Sequence, residues 1–145
     1  MKTDMVDWSR QITLDDVVVG AEIPEIFMPI TLQRLVMEAG SNRDLSLIHH
    51  DREVAQSTGA TDAYMNTFFI IGLFERMLRE WMGTRGRLKK IGSLQMKSFN
   101  VVGDVVYCRG KVTGKQDDGT VSLDIWMENE ERVTVTAVAE VVLPS

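Results

Sequence analysis

The chain has 145 residues, 44% apolar and 26% charged, with 16 Lys plus Arg against 21 Asp plus Glu and a formal net charge of −5. This balance fits one globular domain over residues 1–145 and argues against a disordered chain. It also argues against wrapping nucleic acid, which calls for a basic face, and the single cysteine, Cys108, excludes an intrachain disulfide framework and a Cys-based zinc site.

Met1 to Asp7 carries no apolar signal core. The longest apolar stretch, residues 63–78, is interrupted by Asn66, Thr67, Glu75 and Arg76, so no membrane span is expected. A soluble, cytoplasmic protein is the expectation. Residues 1–28 read as an irregular N-terminal segment with a short extended piece over 12–19. Thr31 then suits a helix N-cap, with Ile30 and Leu35 at the hydrophobic-staple positions. Leu32, Leu35, Val36 and Ala39 form one stripe, and Gly40 closes the helix.

A loop follows from Ser41 to Ile48. Asp51 next suits the cap of a short helix running to Ser57, and Gly59 breaks it. Residues 62–82 are the strongest helical segment. Its first half is apolar on nearly every face, which predicts a buried helix. Beyond Arg87 the period changes to two. Leu94 and Met96, then Val121, Leu123, Ile125 and Met127, then Val133, Val135, Ala137, Ala139 and Val141 alternate with polar partners. Asp117-Asp118-Gly119 and Asn129-Glu130-Glu131 mark turns between antiparallel strands. One long helix before at least four strands predicts an α+β chain, in which a curved antiparallel sheet wraps one helix. That is the hot-dog arrangement, and its open sheet edge predicts a dimer or higher oligomer.

The chain's two histidines are adjacent. Asp44 lies five residues before His49 across a loop, and a turn there brings carboxylate and imidazole to one point. Such a pair can activate a water and return a proton to carbon. The same residues also suit a turn-capping Asp and a His satisfied by backbone. Adjacent residues in extended chain point apart, so His50 reads as structural. Consecutive His-His-Asp converge poorly on one ion, so no metal site is expected. Arg85, Arg87, Lys89 and Lys90 form a basic run that suits either the phosphates of a nucleotide-bearing substrate or a solvated connection.

The run Asp44-Leu45-Ser46-Leu47-Ile48-His49-His50-Asp51 resembles the D-x-N-P-x-H-x-D loop of the MaoC-like (R)-specific enoyl-CoA hydratases and dehydratases. Gly103-Asp104-Val105-Val106 matches that family's entry into a later strand, and the resemblance spans about residues 30–143. His49-His50-Asp51-Arg52 and an Asn at the helix start are similar to the small MaoC-like subunits of actinobacterial steroid-degrading hydratases. The family's Asn-Pro is Ser46-Leu47 here, and its His-Gly falls on Asn66-Thr67.

The resemblance implies hydration of a trans-2-enoyl thioester, or the reverse dehydration, with Asp44 and His49 as the acid/base pair. It places Asn66 and Thr67 at the oxyanion and substrate-binding position, where a helix N-terminus offers positive dipole ends. Phe68 and Phe69 are expected to line the acyl pocket, and the basic run to meet coenzyme A. No metal or redox cofactor is expected, coenzyme A or acyl carrier protein entering only as part of the substrate. The expected assembly is a homodimer or higher oligomer, or a heteromer with another hot-dog chain. A hot-dog thioesterase and a non-catalytic acyl-binding partner subunit stand as alternatives.

Overall fold

The computed structural model describes residues 5–145. Its elements are β1 (Glu22–Pro29), α1 (Leu32–Ser41), α2 (Arg52–Ser57), α3 (Thr67–Met82), β2 (Arg87–Met96), β3 (Val105–Lys115), β4 (Thr120–Glu128) and β5 (Val133–Val142), with short 3-10 turns at Leu14–Asp16 and Leu47–His49. All strands pair antiparallel in one sheet of order β1-β3-β4-β5-β2. The sheet curves round α3, which is the hot-dog fold.

The alternation of the strands sets the core. Val121, Leu123, Ile125 and Met127 of β4 and Val135, Ala137, Ala139 and Val141 of β5 are all buried. They form one cluster with Ile70, Leu73, Phe74, Met77, Leu78 and Met82 of α3. Each Val, Leu, Ile, Phe or Met among them contributes about 1.5–3 kcal/mol when fully buried. Cys108 of β3 belongs to this cluster, and burial pushes its thiol up to about 12, so it remains a small apolar residue.

Three expectations need correction. The irregular segment expected over residues 1–28 contains strand β1, beginning at Glu22. Its two prolines argue against a strand, but β1 is an edge strand and its register shifts between Ile23 and Ile26, around Pro24. A proline's missing donor is tolerated at such places. The extended piece expected over 12–19 contains a 3-10 turn, with Ile12 and Val17 buried beside it. The helix expected over 62–82 begins at Thr67, because Tyr64 bridges to Val101 and Asn66 caps the first turn.

The first half of the long helix also differs from the expectation of burial on nearly every face, since Phe68 and Gly72 are exposed. The charged second half emerges into water, as its Glu75, Arg76, Arg79 and Glu80 imply. Phe68, Gly72, Arg76 and Arg79 form an exposed stripe along it. The sheet covers one side of α3, and the stripe opposite starts apolar and ends in the ion pairs Arg76–Glu80 at 2.6 Å and Arg79–Glu75 at 2.7 Å. Among the described residues, no helix is long and apolar enough to cross a membrane.

Candidate active site

Local chemistry places Asp44 and His49 before any long-range contact does. Thr31 caps α1 by accepting the N–H of Arg34. At the other end Asn42 is the C-cap, and Arg43 turns into the left-handed region at φ 60°. That turn reverses the chain, and the Asp44 N–H closes on the Ala39 carbonyl at 2.9 Å. Asp44 Oδ1 in turn accepts the N–H of Ser46 at 3.2 Å. The 3-10 turn at Leu47–His49 then swings His49 inward, while His50 stays exposed. Asp51 caps α2 by accepting the N–H of Val54 and anchors the far side of the loop.

The two side chains meet. His49 Nε2 lies 3.0 Å from Asp44 Oδ2. The other ring nitrogen, Nδ1, lies 2.7 Å from the Tyr64 carbonyl oxygen. A carbonyl only accepts, so Nδ1 carries a proton and donates. The Nε2 contact therefore needs a proton of its own between imidazole and carboxylate. The Tyr64 ring holds the imidazole edge-on at 5.6 Å, and Phe99 packs on Tyr64 at 4.5 Å. His49 is 6% exposed at its side chain and Asp44 28%, so the carboxylate is the more open member of the pair, and both line the same cleft.

Asn66 completes the group. Its Oδ1 accepts the N–H of Phe69 at 2.8 Å and so caps α3. Its Nδ2 donates to Asp44 Oδ2 at 3.2 Å and to Asn42 Oδ1 at 3.3 Å. The amide is thus fully engaged, which leaves the backbone as the donor at this helix start. The N–H groups of Thr67 and Phe68 belong to the first turn, where no intrahelical acceptor exists. Among the described residues, no acceptor takes them.

These residues surround one cleft of about 230 Å³, lined by Asp44, Ile48, His49, Tyr64, Met65, Asn66, Thr67, Phe68 and Met96. The structure thus brings together Asp44, His49, Asn66, Thr67 and Phe68. Phe68 is 63% exposed and stands at the lip of the cleft, whereas Phe69 packs on the core. The basic run is not brought to the site. Arg85 and Arg87 follow the C-terminal end of α3, whose sixteen residues span about 24 Å. There the Arg85 N–H donates to Gln11, and Lys89 pairs with Glu140 at 3.4 Å. Arg87 and Lys90 are exposed on the β2 edge strand. Sequence reasoning missed Tyr64, whose main-chain carbonyl orients His49, and Asn42. A backbone acceptor leaves no mark in a residue pattern; Asn42 had only its place two residues before Asp44.

A sheet of this order wrapped on one helix, with an acidic loop facing the helix start, defines a hot-dog protein, and the chain belongs to the MaoC-like hydratase and dehydratase family. The 3-oxo-4,17-pregnadiene-20-carboxyl-CoA hydratase beta subunit of Mycobacterium tuberculosis is 32% identical over 123 residues, covering 85% of this chain and 94% of that subunit. A chain in the crystal structure of the ChsH1-ChsH2 complex from Mycobacterium tuberculosis superimposes with TM-score 0.81 at 31% identity, over 87% of this chain and 98% of that one. The unliganded R-hydratase PhaJ1 from Pseudomonas aeruginosa gives TM-score 0.83 at 18% identity, over 93% of this chain and 87% of that one, and at that identity the likeness concerns the fold alone. No protein-family model matches the chain.

Proposed function

We propose that this chain adds water across the α,β double bond of an enoyl-CoA, or removes it in reverse, with Asp44 and His49 as the proton-handling pair. The observation that carries this reading is the 3.0 Å contact between Asp44 Oδ2 and His49 Nε2 in the cleft at the start of α3. Asp44 accepts from Asn66 and Ser46 and is the more exposed member of the pair. In this reading it takes a proton from water as the oxygen attacks the β-carbon. His49 Nε2 gives its proton to the α-carbon. One transfer from Asp44 to Nε2 then restores the pair, and no proton is gained or lost.

Negative charge collects on the thioester oxygen during this step. The unpaired N–H groups of Thr67 and Phe68, at the positive end of the α3 dipole, suit that oxygen. The thioester is its own electron sink, so the reaction calls on no metal or redox group. The cleft is small for a whole acyl group, since ligand sites run to about 300–1,000 Å³. This chain would then hold the reacting end, with the remainder passing Phe68 and Met96 onto a second chain. A large ring-bearing acyl group fits an open-sided site of this kind, in keeping with the pregnadiene-carboxyl-CoA in the name of the Mycobacterium tuberculosis relative.

The partner in this reading is a second, different hot-dog chain. Support comes from the relative's being named a beta subunit and from the two-component complex that this chain superimposes on. Native mass measurement of the chain, alone and coexpressed with a second, different MaoC-like chain, tests it. The activity test follows an enoyl-CoA by the loss of its conjugated absorbance. Loss without free thiol supports hydration, and release of thiol means a thioesterase. Full activity of the assembly after Asp44→Asn would assign the chemistry to the partner.

A further inference from the structure

We infer that Asn42, oriented by Glu38, is a positioning residue for the proposed hydration, because it ties the Asp44 main chain and the Asn66 amide together. This rests on Asp44 being the base. Asn42 Nδ2 lies 2.9 Å from Glu38 Oε1 and 2.7 Å from Oε2. A carboxylate only accepts, so the amide must turn its NH2 toward Glu38. Its Oδ1 then faces the other way, where it accepts the Asp44 N–H at 3.2 Å and Asn66 Nδ2 at 3.3 Å.

The same logic passes to the next residue. With its NH2 directed at Asn42 and Asp44, Asn66 must present Oδ1 to the Phe69 N–H. At the far end the Tyr64 carbonyl fixes the ring of His49. Two obligate acceptors, the Glu38 carboxylate and the Tyr64 carbonyl, therefore close the two ends of one chain of hydrogen bonds. Every group between them has a single allowed sense. Asp44 Oδ2 receives Asn66 from one side and His49 from the other.

Neither Glu38 nor Asn42 lines the cleft that holds Asp44 and His49. Both are partly buried, one turn apart at the end of α1. Removing the Asn42 amide takes away one of the three anchors of Asn66, which keeps its bonds to Asp44 Oδ2 and the Phe69 N–H. It also leaves the Asp44 N–H, beside the left-handed Arg43, held by the Ala39 carbonyl alone. The reacting carboxylate then loses its aim, and misplacement of a reacting group costs about 10²-fold per ångström.

The test uses the purified assembly, with kcat and KM read for each variant on an enoyl-CoA. Asn42→Ala is expected to lower kcat about 10–100-fold with KM changed less than about twofold. Asn42→Asp keeps an acceptor facing Asp44 and Asn66 but repels Glu38, and is expected to fall similarly. Adding Glu38→Gln to Asn42→Asp replaces the repulsion by an amide donating to the new carboxylate, with the direction of that bond reversed, and is expected to recover most of kcat. The inference is overturned if folded Asn42→Ala or Asn42→Asp keeps wild-type kcat, if kcat and KM worsen in equal measure, or if Glu38→Gln recovers nothing. Asp44→Asn is the control. Inactive Asp44→Asn beside a fully active Asn42→Ala removes this inference alone, whereas active Asp44→Asn removes the assignment of the base and the inference together.

Discussion

The two ends of α3 are built to opposite ends. At the C-terminal end Leu78 and Met82 are fully buried, and Gly83 turns the chain at φ 75°. Gln11 reaches in from the N-terminal segment, donates to the Met82 carbonyl at 2.7 Å and accepts the Arg85 N–H at 2.8 Å. Helix-end groups are thus satisfied by a side chain far away in sequence. A Cβ at Gly83 would stand 2.8 Å from the Arg10 carbonyl oxygen, so the closure is tight as well as polar. At the N-terminal end, by contrast, Phe68 is largely exposed and two first-turn N–H groups have no taker among the described residues. The comparison teaches that one helix separates two tasks. The closed end holds the sheet to the helix, and the open end turns its first-turn N–H groups and its polar network toward a cleft.

Changes that break this division should be largest at the open end in rate and at the closed half in stability. His49→Ala or Asp44→Asn is expected to lower hydration about 10²–10⁴-fold, the usual worth of a general acid or base. Circular dichroism should show the fold intact, because both residues lie outside the main core cluster. Near-normal rates in both variants would collapse the contrast. Phe74→Ala should act in the reverse sense. It empties a fully buried site and is expected to cost about 3–5 kcal/mol in chemical denaturation.

Phe68 and its neighbour sharpen the boundary between the two tasks. Phe69 packs on the core and Phe68 stands at the cleft lip. Phe69→Ala should therefore lose more stability than Phe68→Ala. Phe68→Ala should shift relative kcat/KM toward bulkier acyl groups, and an unchanged ratio would make Phe68 a partner contact only. Gln11→Ala leaves the Met82 carbonyl without its donor and is expected to cost about 1–3 kcal/mol. Its effect on kcat should be small, which thermal melts and rates on one preparation would establish. The smallest effect is expected at His50, which is exposed, so His50→Ala should leave rate and melting temperature nearly unchanged.

Much of this was written in local pattern. Thr31 and Asp51 cap the helices expected of them, because an N-cap uses only a hydroxyl or carboxylate and the next turn's N–H groups. Strands β4 and β5 follow their alternation because one face of a sheet must be apolar. The spacing of Asp44 and His49 allowed a pair, since the loop between them is short enough to close on itself. It equally allowed a turn-capping Asp and a His satisfied by backbone, and the resemblance of the loop chose between them. Strand β1 was hidden, because Pro24 and Pro29 disguise a segment that only an edge position makes tolerable. The start of α3 was hidden too. Asp62 to Asn66 carries apolar residues at helical spacing, yet Tyr64 is drawn into a bridge with Val101, distant in sequence. The orientation of His49 depends on that bridge, because it presents the Tyr64 carbonyl to Nδ1. Periodicity and capping act within a few residues, so the sequence by itself determined most of the elements and their caps and brought Asp44 and His49 forward as a candidate pair. The direction of each hydrogen bond, the open stripe on α3 and the distance between the basic run and the cleft depend on segments meeting across the fold, and only the tertiary structure decided them.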